Sequence, residues 1–436
     1  MRSIRTRCSR SIVALAALLP AVLLGLRADA FAVGRADPGE LDPSFGQNGT
    51  VVLTLGADSG FADIALSNGK PVVTGWRGSK ILLMRFTPGG DPDPTFGGGD
   101  GKVLASFPNR AANGFDVAMA AGGKILVGSE PFVAGDAASE NVGLIRFKAN
   151  GAVDTTFGGG DGRVTTDMFG AEDQMEGMAV DSQGRIVVAT ESRKNGEFVP
   201  AVARYTPNGT LDHSFSGDGK FVIPTTASHP FIEALTVLPN DRIVVAGGGD
   251  PGVGTNQDFM LDRIKVGGGL DPAFGSGGEV FTDFDVNSEI ADTLAVDPQG
   301  RIVAGGQATV NGAQKMALAR YTTDGDPDTT FSGDGKVATD VGPDIDRLFG
   351  IALHGGKIVA VGRSDTAPGD QRWLIARYTG HGTLDSGFGV GGRTITNISS
   401  DVSKEEEAAS VVVQDNGRVV VCGLVEPHPM LAGYVG

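Results

Sequence analysis

The chain has 436 residues and a formal net charge of −16 at neutral pH. This acidic balance disfavours nucleic acid as a partner, because a phosphate backbone is bound through clustered lysine and arginine. Glycine supplies 68 residues, and these fall in register with a sequence repeat, which indicates turns and not a low-complexity composition.

Residues 1–30 are predicted to form a secretory signal. Four arginines precede an apolar run over residues 12–26, and small residues follow up to Ala30. We expect cleavage after Ala30, a secreted or periplasmic location, and no membrane span in the processed chain. An uncleaved amino-terminal anchor is the alternative interpretation. Only Cys422 would remain after cleavage, which excludes an intramolecular disulfide.

One short motif, Leu-Asp-x-x-Phe-Gly in its commonest form, recurs seven times along the chain. Its phenylalanines are separated by 51, 61, 58, 59, 57 and 57 residues. A period this regular indicates one supersecondary unit that is copied and stacked. The phenylalanines are Phe45, Phe96, Phe157, Phe215, Phe274, Phe331 and Phe388.

Each repeat contains four short apolar runs. In the fifth copy they cover residues 292–296, 301–305, 315–322 and 335–339, separated by turn residues such as the Asp-Pro-Gln-Gly at 297–300. Several runs are apolar on both faces and therefore need a covering layer on both sides. Four-stranded sheets stacked around an axis meet that need, so we predict an all-β fold, a seven-bladed β-propeller with four antiparallel strands per blade. A linear β-solenoid is the alternative.

The two ends of the chain complement each other. The last run, residues 430–435, matches a third strand with no fourth strand after it, and the run at 50–54 matches a fourth strand with no blade before it. We predict that the amino-terminal strand completes the last blade and closes the ring. Residues 31–436 would then be one propeller domain, and we expect it to be a monomer.

Residues 211–219, Leu-Asp-His-Ser-Phe-Ser-Gly-Asp-Gly, and 270–278, Leu-Asp-Pro-Ala-Phe-Gly-Ser-Gly-Gly, follow strands of the Arg-Tyr-Thr type. With this setting, the chain from about residue 41 to its end resembles the delta-60 repeat family of bacterial β-propellers. The resemblance implies a propeller on an exported bacterial protein. It implies no established activity, so no catalytic residue is carried over. Ser216 and Ser332 depart from the motif's glycine, and Gly433 departs from the arginine of the third strand.

In six repeats an arginine lies eight residues before the aspartate of the motif. We predict that each pair forms a structural ion pair, since a reaction centre would occur once and not in six copies. The pairs are Arg85 and Asp93, Arg146 and Asp154, Arg204 and Asp212, Arg263 and Asp271, Arg320 and Asp328, and Arg377 and Asp385.

The acidic turn at residues 324–328 raises the question of calcium. Its carboxylates alternate as in a calcium loop, but Thr329 and Gly335 stand where such a loop needs its glycine and its closing glutamate. Aspartates that cap turn amides explain the same residues. We therefore predict no cofactor and no metal, with calcium as the alternative.

Loops joining strands one to two and three to four resemble each other from repeat to repeat, whereas those joining two to three and four to one vary. The variable loops include residues 128–141, 189–200, 247–258 and 362–372. Because the two groups emerge on opposite faces of a propeller, we expect binding on the variable face. Acidic residues just before the first strands are predicted to ring the mouth of the channel: Asp63, Asp116, Glu176, Glu233 and Asp292.

An acidic ring of this kind would favour a cation, an amine or a basic surface, although solvated loop carboxylates are the plainer interpretation. The histidines lie in no recognisable nucleophile, zinc or paired-carboxylate motif. We therefore predict an exported noncatalytic binding or scaffold propeller whose partner is a protein, a glycan or a small cationic ligand. The alternative is an extracytoplasmic hydrolase or lyase acting on carbohydrate or lactone-like substrates at the channel mouth.

Overall fold

The computed structural model describes residues 36–56, 58–252, 256–284, 288–341, 345–367, 370–399, 401 and 404–436. The signal predicted for residues 1–30 lies outside the described residues. In the part of the chain that is described, no helix has the length and apolar character needed to cross a membrane. The described residues contain two helical segments, the 3₁₀ turns Ala121–Gly123 and Ala137–Ser139.

The remaining regular structure consists of β-strands. In chain order they are β1 (Thr50–Val52), β2 (Ser59–Ser67), β3 (Lys70–Arg77), β4 (Lys80–Arg85), β5 (Lys102–Ala105), β6 (Gly114–Ala120), β7 (Lys124–Ser129), β8 (Val142–Phe147), β9 (Arg163–Thr166), β10 (Asp173–Val180), β11 (Ile186–Lys194), β12 (Glu197–Tyr205), β13 (Lys220–Val222), β14 (Ser228–Val237), β15 (Ile243–Asp250), β16 (Asp258–Ile264), β17 (Glu279–Thr282), β18 (Glu289–Val296), β19 (Ile302–Val310), β20 (Ala313–Tyr321), β21 (Lys336–Thr339), β22 (Asp346–His354), β23 (Lys357–Ala367), β24 (Asp370–Tyr378), β25 (Arg393–Thr396), β26 (Glu406–Val413), β27 (Val419–Val425) and β28 (His428–Tyr434).

These strands form seven four-stranded antiparallel sheets, which confirms the predicted seven-bladed propeller. Blade 1 is β2 to β5, blade 2 is β6 to β9, blade 3 is β10 to β13, blade 4 is β14 to β17, blade 5 is β18 to β21 and blade 6 is β22 to β25. Blade 7 contains β26, β27, β28 and, as its outer strand, β1. The first strand of every blade contacts the first strand of the next, including β26 with β2, so the ring is closed.

The hydrophobic core lies between neighbouring blades. One cluster, for example, joins Val72 and Ile81 of blade 1 to Val117 and Ile125 of blade 2, all at most 5 % exposed. Strands with apolar side chains on both faces can be accommodated because each sheet is covered by a neighbour on either side.

The turns between strands one and two use side chains to fix the backbone. In blade 5, Asp297 accepts hydrogen bonds from the backbone N–H of Gln299 and of Arg301, both at 2.9 Å. Gly300 adopts a φ of +79° in the same turn. Aspartate and glycine thus serve here as turn residues, as their sequence pattern predicts.

The ends of the chain meet in blade 7. Strand β1 pairs antiparallel with β28, with Thr50 opposite Ala432. Around the whole ring, the residue after each motif phenylalanine donates its backbone N–H to a carbonyl of the next blade. This series crosses the closure as well, from Gly389 to Pro38 and from Gly46 to Gly89, each at 2.7 Å. The amino-terminal segment is therefore an integral part of the ring.

Candidate functional site

The six predicted arginine–aspartate pairs lie on the face formed by the repeated loops, and each is in ion-pair contact. The distance from the arginine Nε to the aspartate Oδ2 is 2.7 to 2.9 Å in every pair. In five blades a second cation contacts the same carboxylate: Lys70, Lys124, Arg242, Arg301 and Lys357.

Five of the six pairs, those of blades 1 to 5, also connect their blade to the next one through the arginine Nη1. In blade 1, Asp93 Oδ1 accepts hydrogen bonds from the backbone N–H of Thr95 at 3.0 Å and from its hydroxyl at 2.7 Å. The Arg85 guanidinium lies 4.7 Å from the centre of the Phe96 ring and donates from Nη1 to the carbonyl of Ala149 in blade 2. We call the arginine, the aspartate and the motif phenylalanine of one blade the latch. Its ion pair and its cation–π contact stabilise the fold, which is a structural role.

The latch carboxylates Asp93 and Asp154 are held in the ionised form. Burial raises the pKa of Asp93, but hydrogen bonds from Lys70, Thr95 and Arg85 outweigh it, so the pKa lies well below its ordinary value. Asp154 behaves in the same way, with burial opposed by Lys124, Thr156 and Arg146. These carboxylates are therefore anions in the whole neutral range.

The seventh latch is rebuilt with an arginine from another position, just before β27. Gly433 replaces the usual arginine, and a Cβ at this position would lie 2.5 Å from Cγ of Phe45. Arg418, which precedes β27, takes over by contacting Asp42 at 2.7 Å and lying 5.6 Å from the Phe45 ring centre. Its Nη1 also donates to the carbonyl of Pro88 at 2.8 Å. The closing blade thus keeps the latch chemistry.

The five acidic residues predicted to precede the first strands lie inside those strands, so that placement was wrong. Asp63 and Asp116 each follow a bulge in the innermost strand. The Asp63 carboxylate accepts a hydrogen bond from the backbone N–H of Val117 at 2.9 Å, and that of Asp116 accepts one from Met178 at 2.8 Å. Both side chains therefore join the inner strand of one blade to that of the next.

The other three acids, Glu176, Glu233 and Asp292, occupy the bulge position itself. Glu176 and Glu233 are each 7 % exposed, and Asp292 is half-buried. The five carboxylates thus belong to two structural positions and form no single ring of exposed groups.

Sequence reasoning missed a second set of acids at the beginning of the inner strands. Asp173 accepts a hydrogen bond from the backbone N–H of Met168 at 2.8 Å, and Glu406 accepts one from Ser399 at 2.6 Å, so each closes the loop that enters its blade. Burial raises the pKa of Asp173 to about 6. Their signal in the sequence is an acid three residues before the bulge, at Asp173, Glu289, Asp346 and Glu406.

Three carboxylates converge on the variable face at the junction of blades 4 and 5. One oxygen from each of Asp258, Asp283 and Glu289 lies within 4.8 Å of the others. Among the described residues this is the one such group of three or more potential metal ligands, and it contains no histidine. Burial, then the charges of Asp283 and Asp250, raise the pKa of Asp258 to about 6, while Lys336 opposes them.

Neighbouring junctions place a cation where blade 4 has Asp258. The residue five positions before the latch arginine is Lys315 in blade 5 and Arg372 in blade 6. Lys315 contacts Asp340 at 3.4 Å, and Arg372 contacts Glu406 at 3.3 Å. Asp283 and Asp340 both directly follow the outer strand, and Glu289 and Glu406 both begin an inner strand. Blade 4 therefore replaces a protein cation by a third carboxylate.

The two tryptophans at the edges of variable loops are packed inside the protein. Trp373 is 0 % exposed and donates its indole N–H to the carbonyl of Leu424 at 3.2 Å, and Trp76 is 7 % exposed. Neither presents an open ring face for stacking on a sugar.

Comparison with known proteins agrees with this architecture. Five stretches match a family model described as a domain of unknown function (DUF5122) beta-propeller: residues 66–96, 123–157, 182–215, 298–331 and 356–388. Each stretch ends at a motif phenylalanine. The chain is a β-propeller repeat protein. No curated protein matches it in sequence.

Several solved structures show a distant similarity to this β-propeller repeat protein. Sqt1 of Chaetomium thermophilum has a TM-score of 0.47 at 11 % identity, covering 87 % of this chain and 96 % of Sqt1. The polysaccharide lyase Uly1 has a TM-score of 0.47 at 12 % identity, covering 86 % and 90 %. A puromycin hydrolase has a TM-score of 0.44 at 13 % identity, covering 92 % and 53 %. At these values nothing about activity follows.

Proposed function

We propose that this protein is an exported, noncatalytic binding propeller whose variable face takes a cationic ligand. The basic and apolar character of residues 1–30 supports export. The convergence of Asp258, Asp283 and Glu289 at the junction of blades 4 and 5 is the observation that supports a cationic ligand.

Comparison of blade 4 with blades 5 and 6 supports a positively charged ligand. Lys315 and Arg372 balance the carboxylates at the corresponding places of blades 5 and 6. In blade 4 the corresponding residue is Asp258, which adds a negative charge to the carboxylates already there. Like charges in a partly buried site repel one another, and an external cation relieves that repulsion. A divalent metal or the ammonium groups of a basic partner would both fit this chemistry.

The distribution of charge over the two faces supports the same proposal. On the repeated face every latch carboxylate already contacts at least one cation of the protein. The loops and strand ends of the variable face contribute further carboxylates, of which Glu172 and Asp340 contact Arg193 and Lys315: Asp136, Glu140, Asp167, Glu172, Asp250, Asp283, Asp340 and Asp401. These carboxylates add negative charge to the face that carries the proposed site.

The test measures thermal unfolding with calcium chloride, with a lysine oligopeptide, and with a chelator. A ligand present at a hundred times its Kd stabilises the folded state by about 2.7 kcal/mol. We expect calcium, the oligopeptide or both to raise the Tm of the wild type. Asp258→Lys, which installs the side chain of blade 5, should abolish the shift.

Asp326→Asn is the matched control, because Asp326 is an exposed carboxylate of the repeated face and belongs to the acidic turn considered above for calcium. This variant should respond as the wild type does. A wild type that responds to neither probe would refute the proposal, as would an Asp258→Lys variant with an undiminished response. A response lost in Asp326→Asn alone would move the site to the repeated face.

A further inference from the structure

Blade 4 carries an acidic residue inside its sheet where every other blade has an apolar one. Asp262 directly precedes the latch arginine on β16 and is 0 % exposed. The residues at the corresponding positions are Met84, Ile145, Ala203, Ala319, Ala376 and Ala432. A fully buried carboxyl is therefore a departure specific to this blade.

The residue beside Asp262 departs from the repeat as well. Glu279 on β17 is opposite Asp262 in the antiparallel register and is 5 % exposed. Five other blades have a basic residue at this position: Lys102, Arg163, Lys220, Lys336 and Arg393. Glu279 accepts a hydrogen bond from the backbone N–H of Thr226 at 2.7 Å. Two acidic side chains thus lie side by side on the outer strands of blade 4.

The surroundings of Asp262 offer no polar compensation. Neither of its carboxyl oxygens has a hydrogen-bond partner. By the alternation of a strand, Asp262 shares its face with Met260 and Ile264, and Val245 lies opposite it. Those three side chains pack in one cluster with residues of blade 3, among them Val187 and Val202. Asp262 therefore points into the apolar contact between blades 3 and 4.

We propose that Asp262 is a proton-controlled switch of the contact between blades 3 and 4, which stays closed while its carboxyl is neutral and opens locally when that carboxyl ionises. A neutral carboxyl among apolar side chains costs far less free energy than a carboxylate at the same place. Local opening exposes the group to water and so favours the ionised form.

Burial of Asp262 and the negative charge of Glu279 both disfavour the ionised form of the Asp262 carboxyl. Burial, and after it the charge of Glu279, raise the pKa of Asp262 to about 8. The facing surface of blade 3 also carries charges, but these form ion pairs with one another, Arg204 with Asp212 at 2.8 Å and Arg185 with Asp181 at 2.5 Å. On β15 the residue opposite is the apolar Val245.

The sign of the pH effect follows from these values. In the open form Asp262 regains a pKa near 3.8, and in the closed form it is about 8. Stability of the closed contact is fully present below pH 4 and is lost as the pH rises towards 8. Within this interval the opening equilibrium constant increases up to tenfold per pH unit, and above it the constant is level.

Hydrogen exchange between pH 5 and pH 8, corrected for the intrinsic exchange rate at each pH, measures this opening. We expect the protection of β15, β16 and β17 to fall by up to tenfold per pH unit, while β2 to β5 of blade 1 serve as the internal control. Asp262→Asn, which mimics the neutral carboxyl, should remove most of the pH dependence and leave the smaller contribution of Asp258 on the same strand. Asp262→Ala, the residue of four other blades, should do the same.

Glu279→Lys provides a second approach, because it places beside Asp262 the cation found in blades 1, 3 and 5. It should stabilise the carboxylate and flatten the pH dependence without removing Asp262. The proposal is overturned if wild-type protection in blade 4 is independent of pH, or if Asp262→Asn and Asp262→Ala keep the wild-type slope. The effect of calcium and of the lysine oligopeptide on the Tm, which tests the site at Asp258, is a separate measurement. The result of the hydrogen-exchange experiment does not decide it.

Discussion

Truncation of the phenylalanine that closes the ring is a direct test of the fold. Phe45 is 0 % exposed and packs with Phe61, Phe86 and Cys422 at the contact between blades 7 and 1. Replacement of a buried phenylalanine by alanine costs about 3–5 kcal/mol, because apolar burial is lost and a cavity remains. Since Phe45 is as buried as the motif phenylalanines of the other blades, we expect Phe45→Ala to destabilise the protein by an amount in this range.

Phe274→Ala is the control, since Phe274 is also 0 % exposed and occupies the same motif position far from the chain ends. Urea unfolding followed by tryptophan fluorescence suits this test, because Trp76 and Trp373 lie in blades 1 and 6, on either side of the closing blade. The two variants should lose comparable free energy. If Phe45→Ala cost less than 1 kcal/mol while Phe274→Ala cost more than 3, the amino-terminal segment would not be an integral part of the ring.

Other consequences of the structure can be measured in the same way. Deletion of residues 31–55 should abolish cooperative unfolding, and a truncated protein that melts like the full chain would contradict the closure. Asp154→Ala leaves the buried Arg146 without its carboxylate and should cost about 3–5 kcal/mol, whereas a cost below 1 kcal/mol would show that the latch contributes little. Tyr378→Phe removes a hydrogen bond of 2.7 Å to the Thr339 hydroxyl and should cost about 1 kcal/mol. Acid titration of the wild type should show that the stability given by Asp93, Asp154, Asp212, Asp328 and Asp385, whose folded pKa lies below 3.8, is present above pH 4 and is lost below it.

The sequence predicted the architecture because the repeat constrains it many times over. Seven motif phenylalanines gave the number of blades, and the unmatched runs at both ends gave the closure. The replacement of the latch arginine by Gly433 was visible as well, but its compensation was not. Arg418 directly precedes another strand, β27, and only the folded sheet brings its side chain to Asp42. A substitution of this kind is a tertiary event that a linear pattern does not encode.

The acidic residues of the inner strands were misplaced for a different reason. Every inner strand contains a bulge, which adds one residue and reverses the alternation of side chains beyond it. Residues on either side of the bulge therefore point in directions that a regular alternation does not predict. Asp63 was expected at the channel mouth, yet its carboxylate binds the backbone of the next blade.

Blade 4 departs from the repeat at three acidic positions. Asp258 is an acid where blades 1, 5 and 6 carry a cation, and Glu279 is an acid where five other blades carry one. Asp262 is an acid where the other blades carry apolar side chains. Changes on an exposed loop would be nearly neutral, but Asp262 lies inside an apolar contact and lowers stability at neutral pH. Proteins violate the rules of a stable core mostly where function requires it. A scaffold of similar blades in which one blade carries a destabilising buried carboxyl is what we expect of a binding protein whose site lies at that blade.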